Sequence, residues 1–178
     1  MKASCRSRTV RIPVVGGVID RRLLVNFRID PEVLADQLPP TFRPQLIDGF
    51  AIGGICLIRL KQVLPRFLPG ILEIASDNAA HRFAVKWELP DDTVARGAYI
   101  PRRDSNSWLN ILAGGQLFPG FHRHARFRSD ERHGEYHIEI DSDDGKMHVD
   151  LVARAASSLN TGSIFENLDR ASDFFERG

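Results

Sequence analysis

FHRHARFRSDERHGEYHIEIDSDDGKMHVDLVAR, residues 121–154, alternates apolar and polar side chains through three short runs. The runs are 121–128, 135–140 and 146–154. Turn-forming residues separate them, at Asp130 to Gly134 and at Asp141 to Gly145. A two-residue period puts neighbouring side chains on opposite faces of a strand. Three such runs joined by short polar turns predict an antiparallel meander.

The same reading extends toward the amino terminus. Residues 22–29 alternate as a strand. Asp30-Pro31-Glu32 then supplies a cap, a proline at the first helical position and an acid in the first turn. The helix over 31–38 is short, because Pro39-Pro40 ends it. Asp48-Gly49 joins runs 42–47 and 50–60 and is a strong hairpin signal. Gly53-Gly54 inside the second arm points to a bulge or a close backbone approach. Residues 64–71 hold two prolines and read as an irregular loop. Strands follow at 78–88 and at 94–100, the second ending at Pro101. A two-turn helix fits 106–113, capped by Ser105 and stopped by Gly114-Gly115. A last helix fits 165–176, with Leu168, Ala171 and Phe175 on one side and Gly178 as its C-cap. Strands outnumber helices and no strand-helix-strand rhythm occurs. The expected fold is mostly β (α+β), an antiparallel sheet or barrel with about three short helices.

Composition narrows the function classes. The chain has 178 residues, 43% hydrophobic and 26% charged, which suits one globular domain over 1–178 with a flexible basic tail at 1–11. A net charge of +1 gives no pull toward nucleic acid. No apolar run reaches the ~20 residues that cross a bilayer, so no membrane partner is expected. All but four of the 24 basic residues are arginine, which reads as codon bias. Cys5 and Cys56 form no metal spacing, and a reducing, cytoplasmic setting fits them.

The stretch that carries chemistry is Gly97-Ala98-Tyr99-Ile100-Pro101-Arg102-Arg103-Asp104. It delivers two adjacent guanidiniums, which stay charged and ask for an anion. Strand alternation sends Arg102 and Arg103 to opposite faces. Either one is solvated while the other pairs with Asp77, Glu73 or Asp104, or Arg102 lines a cavity. Asp77, Asn78 and Arg82 cluster at a strand start, where a capping turn with a surface arginine competes with a binding role. His122 and His124 share a face and could hold a metal with His137, His148 or Asp150. Arg126 and Arg128 continue that face and repel a cation, so no metal is assigned. Lys86 falls on a strand face with Arg82, in an apparent interior position.

Three blocks carry a family resemblance: Ser76 to Arg82, Ala98 to Ser107, and Leu109-Asn110 through Gly114-Gly115 to Pro119-Gly120. In this order they resemble an uncharacterised bacterial domain family of the acetoacetate decarboxylase-like superfamily. The resemblance spans about Val25 to Gly178. It implies a partly open antiparallel β-barrel or cone with a small-molecule cavity. It also implies further carboxy-terminal strands in the family that this chain lacks. In the decarboxylases a Tyr-Pro-Lys-Lys run supplies the imine-forming lysine. Here Arg102 and Arg103 stand at the two lysine positions, so Schiff-base decarboxylation is not expected. What survives is an anion cavity: Arg102, Asp77, Asn78, Arg82, Tyr99 and Arg103 are the expected ligand-binding residues. The expected partner is a small carboxylate held non-covalently, with no cofactor. Two alternatives stand beside it: a lyase or hydrolase acting on a keto acid without an imine, and an interaction module with no ligand. Phe174-Phe175 and open sheet edges further suggest a homodimer.

Overall fold

The computed structural model describes residues 15–65, 75–108, 110–111 and 121–176. The expected tail at 1–11, the core of the expected loop at 64–71, the glycines 114–115 and Gly178 lie outside them.

Nine strands form one sheet. They are β1 (Val15–Ile29), β2 (Arg43–Pro44), β3 (Leu46–Ile47), β4 (Phe50–Pro65), β5 (Ser76–Glu88), β6 (Val94–Ser105), β7 (Phe121–Arg132), β8 (Glu135–Ser142) and β9 (His148–Arg154). The order across the sheet is β1-β4-β5-β6-β7-β8-β9, with β2 on β5 and β3 on β4. Two helices are described, α1 (Pro31–Ala35) and α2 (Leu168–Glu176). Of the expected helix at 106–113, Trp108, Asn110 and Ile111 are helical and 112–120 lie outside the described residues.

The sheet is mixed, and this corrects the antiparallel expectation. β6 and β7 run parallel, from Arg102↔Phe121 to Ser105↔His124. The alternating pattern could not reveal this, because it reports faces and not directions. The meander itself is as read: β7, β8 and β9 pair antiparallel in sequence order. Asp48 and Gly49 both have positive φ, 47° and 81°, as a tight hairpin turn between β3 and β4 requires. Asp30 caps α1 by accepting from the Glu32 amide at 2.8 Å.

The sheet curls into a half-barrel, and one face becomes the core. Leu57 and Ala79 from β4 and β5 pack on Ala125, Ile138 and Ile140 from β7 and β8. Farther along the same face, Ala51 and Val85 meet Leu34 and Leu38, so α1 plugs that end. Phe42 lies there too, against Trp87 and Tyr99 with ring centroids 5.6 and 5.4 Å apart. Among the described residues no helix is long and apolar enough to cross a membrane.

Candidate functional site on two faces of β5 and β6

β6 does not end at Pro101; it continues to Ser105. The register explains why a proline is tolerated mid-strand. His81 faces Arg102 and Phe83 faces Tyr99, so Ile100 and Pro101 together oppose Arg82. This is a bulge, where a missing N–H costs no ladder bond. Beyond it the alternation resumes and separates the two arginines. Arg102 and Asp104 join the core face with His81, while Arg103 joins the other face in line with Ala80 and Cys56.

The core face turns Arg102 into a clamp. Its Nε donates to Asp104 Oδ2 at 2.9 Å and its Nη2 to Asp104 Oδ1 at 2.7 Å. Its Nη1 and Nη2 donate to Asp144 at 3.1 and 3.0 Å. Asp104 is 0% exposed and also bonds His81 Nε2 at 3.1 Å. Burial pushes the Asp104 carboxyl up, but the bonds from His81 and Arg102 outweigh it and hold it below its ordinary value. Bonds from Arg102 and Ser142 likewise hold Asp144 well down. The clamp ties β6 to the turn between β8 and β9. It is the structural pairing that the sequence left open, with Asp104 and Asp144 as the anions.

Asp77 belongs to a second network on this face. Arg59 Nε donates to its Oδ1 at 3.0 Å, and Arg21 Nη2 lies 3.3 Å from the same oxygen. Both arginines also reach Glu131 of β7. The four charges bridge β1, β4 and β5 to β7. Tyr99 packs on Phe42 in the core. Three of the six expected site residues, Arg102, Asp77 and Tyr99, therefore lie on the core face.

The opposite face carries the other three. Asn78, Arg82 and Arg103 line it, with Ser76, Cys56 and Asn26 between and beside them. Asn110 Nδ2 donates to Ser76 Oγ at 2.9 Å and to Asn78 Oδ1 at 3.1 Å, which joins the helical turn to the strand. Arg82 is only 8% exposed. Its Nη2 donates to Asn26 Oδ1 at 3.0 Å, and its Cζ lies 4.7 Å from the centre of the Phe175 ring. Neither of these two described contacts is a carboxylate. Burial lowers the basicity of Arg82; Cys56 opposes this and Arg22 adds to it. Arg103 is lowered by burial in the same way, again with Cys56 opposing. Two desolvated guanidiniums thus flank one buried, free thiol. A cleft of 20 Å³ remains between this face and Phe174 and Phe175 of α2, room for about one water molecule.

Several of these partners escaped the sequence. Asn26 and Cys56 sit in ordinary apolar strands, and only the register across β1, β4 and β5 brings them to Arg82. Asp144 stands in a turn whose composition signals a turn and nothing more. Phe175 was legible as an apolar helix position, but its target was not. Lys86, expected inside, is exposed. Three of the candidate histidines meet carboxylates pairwise: His124 with Asp143 at 2.7 Å, His137 with Asp150 at 2.9 Å and His148 with Asp141 at 2.8 Å. Trp108 also stacks on His124, with centroids 4.5 Å apart.

No curated protein matches the chain. Among solved structures it is similar to an acetoacetate decarboxylase from Legionella pneumophila, at 13% identity with a TM-score of 0.48. The match covers 83% of this chain and 53% of that one, so the chain spans about half the length of the decarboxylase. A family model described as "Uncharacterized conserved protein" matches residues 19–173. That span takes in most of β1, all of β2 to β9 and most of α2, both arginine faces included, and the chain belongs to this family, DUF2071.

Proposed function

We propose that the protein binds a small organic acid non-covalently on the Arg82 face, with the carboxylate paired to Arg82 and flanked by Arg103, Asn78 and Asn26. One observation carries this reading: Arg82 is a buried cation whose described contacts are an amide oxygen and an aromatic ring. A desolvated charge without a counter-charge costs several kcal/mol, and an anion removes that cost. The guanidinium fork also matches a carboxylate in geometry. Imine chemistry has no support on this face, because its exposed lysine, Lys86, lies beyond the arginines toward the strand end. The buried thiol of Cys56 suits a reducing, cytoplasmic compartment. Val152 of β9, exposed at the end of the sheet order, suits a homodimer contact.

Thermal denaturation with acetate, acetoacetate and benzoate tests the reading. A carboxylate at 100 times its dissociation constant stabilises the fold by about 2.7 kcal/mol. Arg82→Met removes that gain, whereas Arg102→Ala keeps it. Equal responses from the parent and Arg82→Met refute the site.

A further inference from the structure

The cleft above Arg82 is too small for a carboxylate and its substituent, although the cation beneath it is buried and lacks a described anion. The space is filled by α2. Phe175 lies over the guanidinium, and Phe174 lines the cleft with it. The rings of Phe165, Phe174 and Phe175 pack on one another with centroids 5.2 to 5.6 Å apart. The helix itself is lightly held, since none of its residues is buried. An element with half-buried residues such as Phe174 and Phe175 but no fully buried one opens at a smaller cost than the core strands. An aromatic ring over a guanidinium is moreover a weak stand-in for an anion: it offers a quadrupole where a carboxylate offers a full charge.

We infer that α2 is a lid, that Phe175 occupies the ligand's place on Arg82, and that an amphipathic monocarboxylate lifts it. The inference rests on the anion site proposed above and names the ligand class for it. The carboxylate takes the guanidinium, and a ring or short aliphatic tail takes the apolar space that Ile52, Phe174 and Phe175 now share. Acids that are polar throughout gain the ion pair but not the second contact, so they bind less well. Acetate is the limiting case, with one methyl group to offer.

Phenylglyoxal labelling of arginine, read peptide by peptide by mass spectrometry, tests the lid without needing a ligand. Arg82 should label slowly in the parent. It should label about tenfold faster in Phe175→Ala, the equivalent of about 1.4 kcal/mol of lost cover. Phe175→Leu keeps apolar bulk without a ring face; it should fall between the two, and it serves if the alanine variant folds poorly. In the parent, benzoate should slow Arg82 labelling while speeding deuterium exchange at the α2 amides. Neutral benzamide should do neither. Equal Arg82 labelling in the parent and both variants overturns the lid. So does benzoate protection with unchanged α2 exchange. If Phe175→Ala uncovers Arg82 but benzoate gives no protection there, the anion site falls instead, and the ligand-lifting step with it.

Discussion

Replacing Arg102 with alanine should unbalance the most deeply buried charge described in the molecule. Asp104 has no exposed surface, and Arg102 supplies its two shortest contacts, at 2.7 and 2.9 Å. His81 is its other described side-chain partner, at 3.1 Å. Breaking a buried pair by removing one member costs roughly 3–5 kcal/mol, because the stranded charge keeps its desolvation penalty. A chain of this length loses about 2–4 °C of Tm per kcal/mol, so the variant should melt about 6–20 °C lower. Asp104→Asn should cost less, since Arg102 keeps Asp144. Arg128→Ala is the control. It breaks an exposed pair with Glu139, worth about 1 kcal/mol or less. The pH dependence has a definite sign. Asp104 is held below its ordinary value in the folded parent. Its contribution is therefore complete above the unfolded value of about 3.9 and is lost as pH falls through the folded one. In Arg102→Ala the bond and charge of Arg102 are gone while that of His81 remains, so the folded value rises from the parent's and the variant loses less than the parent as pH falls. Urea denaturation at pH 7 and pH 4 should thus show a penalty that shrinks in acid. A pH-independent penalty below about 1 kcal/mol would refute the clamp.

Gly54→Ala should cost about 3 kcal/mol or more, because its Cβ would fall 2.0 Å from the Val25 carbonyl oxygen, and backbone cannot yield as a side chain can. Gly49→Ala meets no atom and bears only the strain of its φ of +81°, about 1–2 kcal/mol; urea titration of both separates crowding from strain. Borohydride with acetoacetate should leave the intact mass unchanged, and an adduct at Lys86 would revive a covalent mechanism. Sedimentation equilibrium at micromolar concentration should show a dimer, and a single 20 kDa species would exclude it.

The cap at Asp30, the Asp48-Gly49 turn and the β7–β9 meander were readable from the sequence, because each depends on φ preference or on period two within a few residues. The opposed directions of Arg102 and Arg103 were readable for the same reason. That a guanidinium at positions 102 and 103 stays charged was also readable, since a residue's chemistry needs no fold to be known. Tertiary structure decided the rest. The parallel β6–β7 pairing depends on a connection that no local pattern encodes. The bulge at Ile100-Pro101 let β6 run on past a proline that alone reads as a stop. The full clamp on Arg102 depended on Asp144 arriving from β8–β9, and the burial of Arg82 depended on Asn26, Cys56 and Phe175 arriving from β1, β4 and α2. Those residues lie 26 to 93 positions from Arg82 along the chain, and only the strand register and the docking of α2 bring them to it.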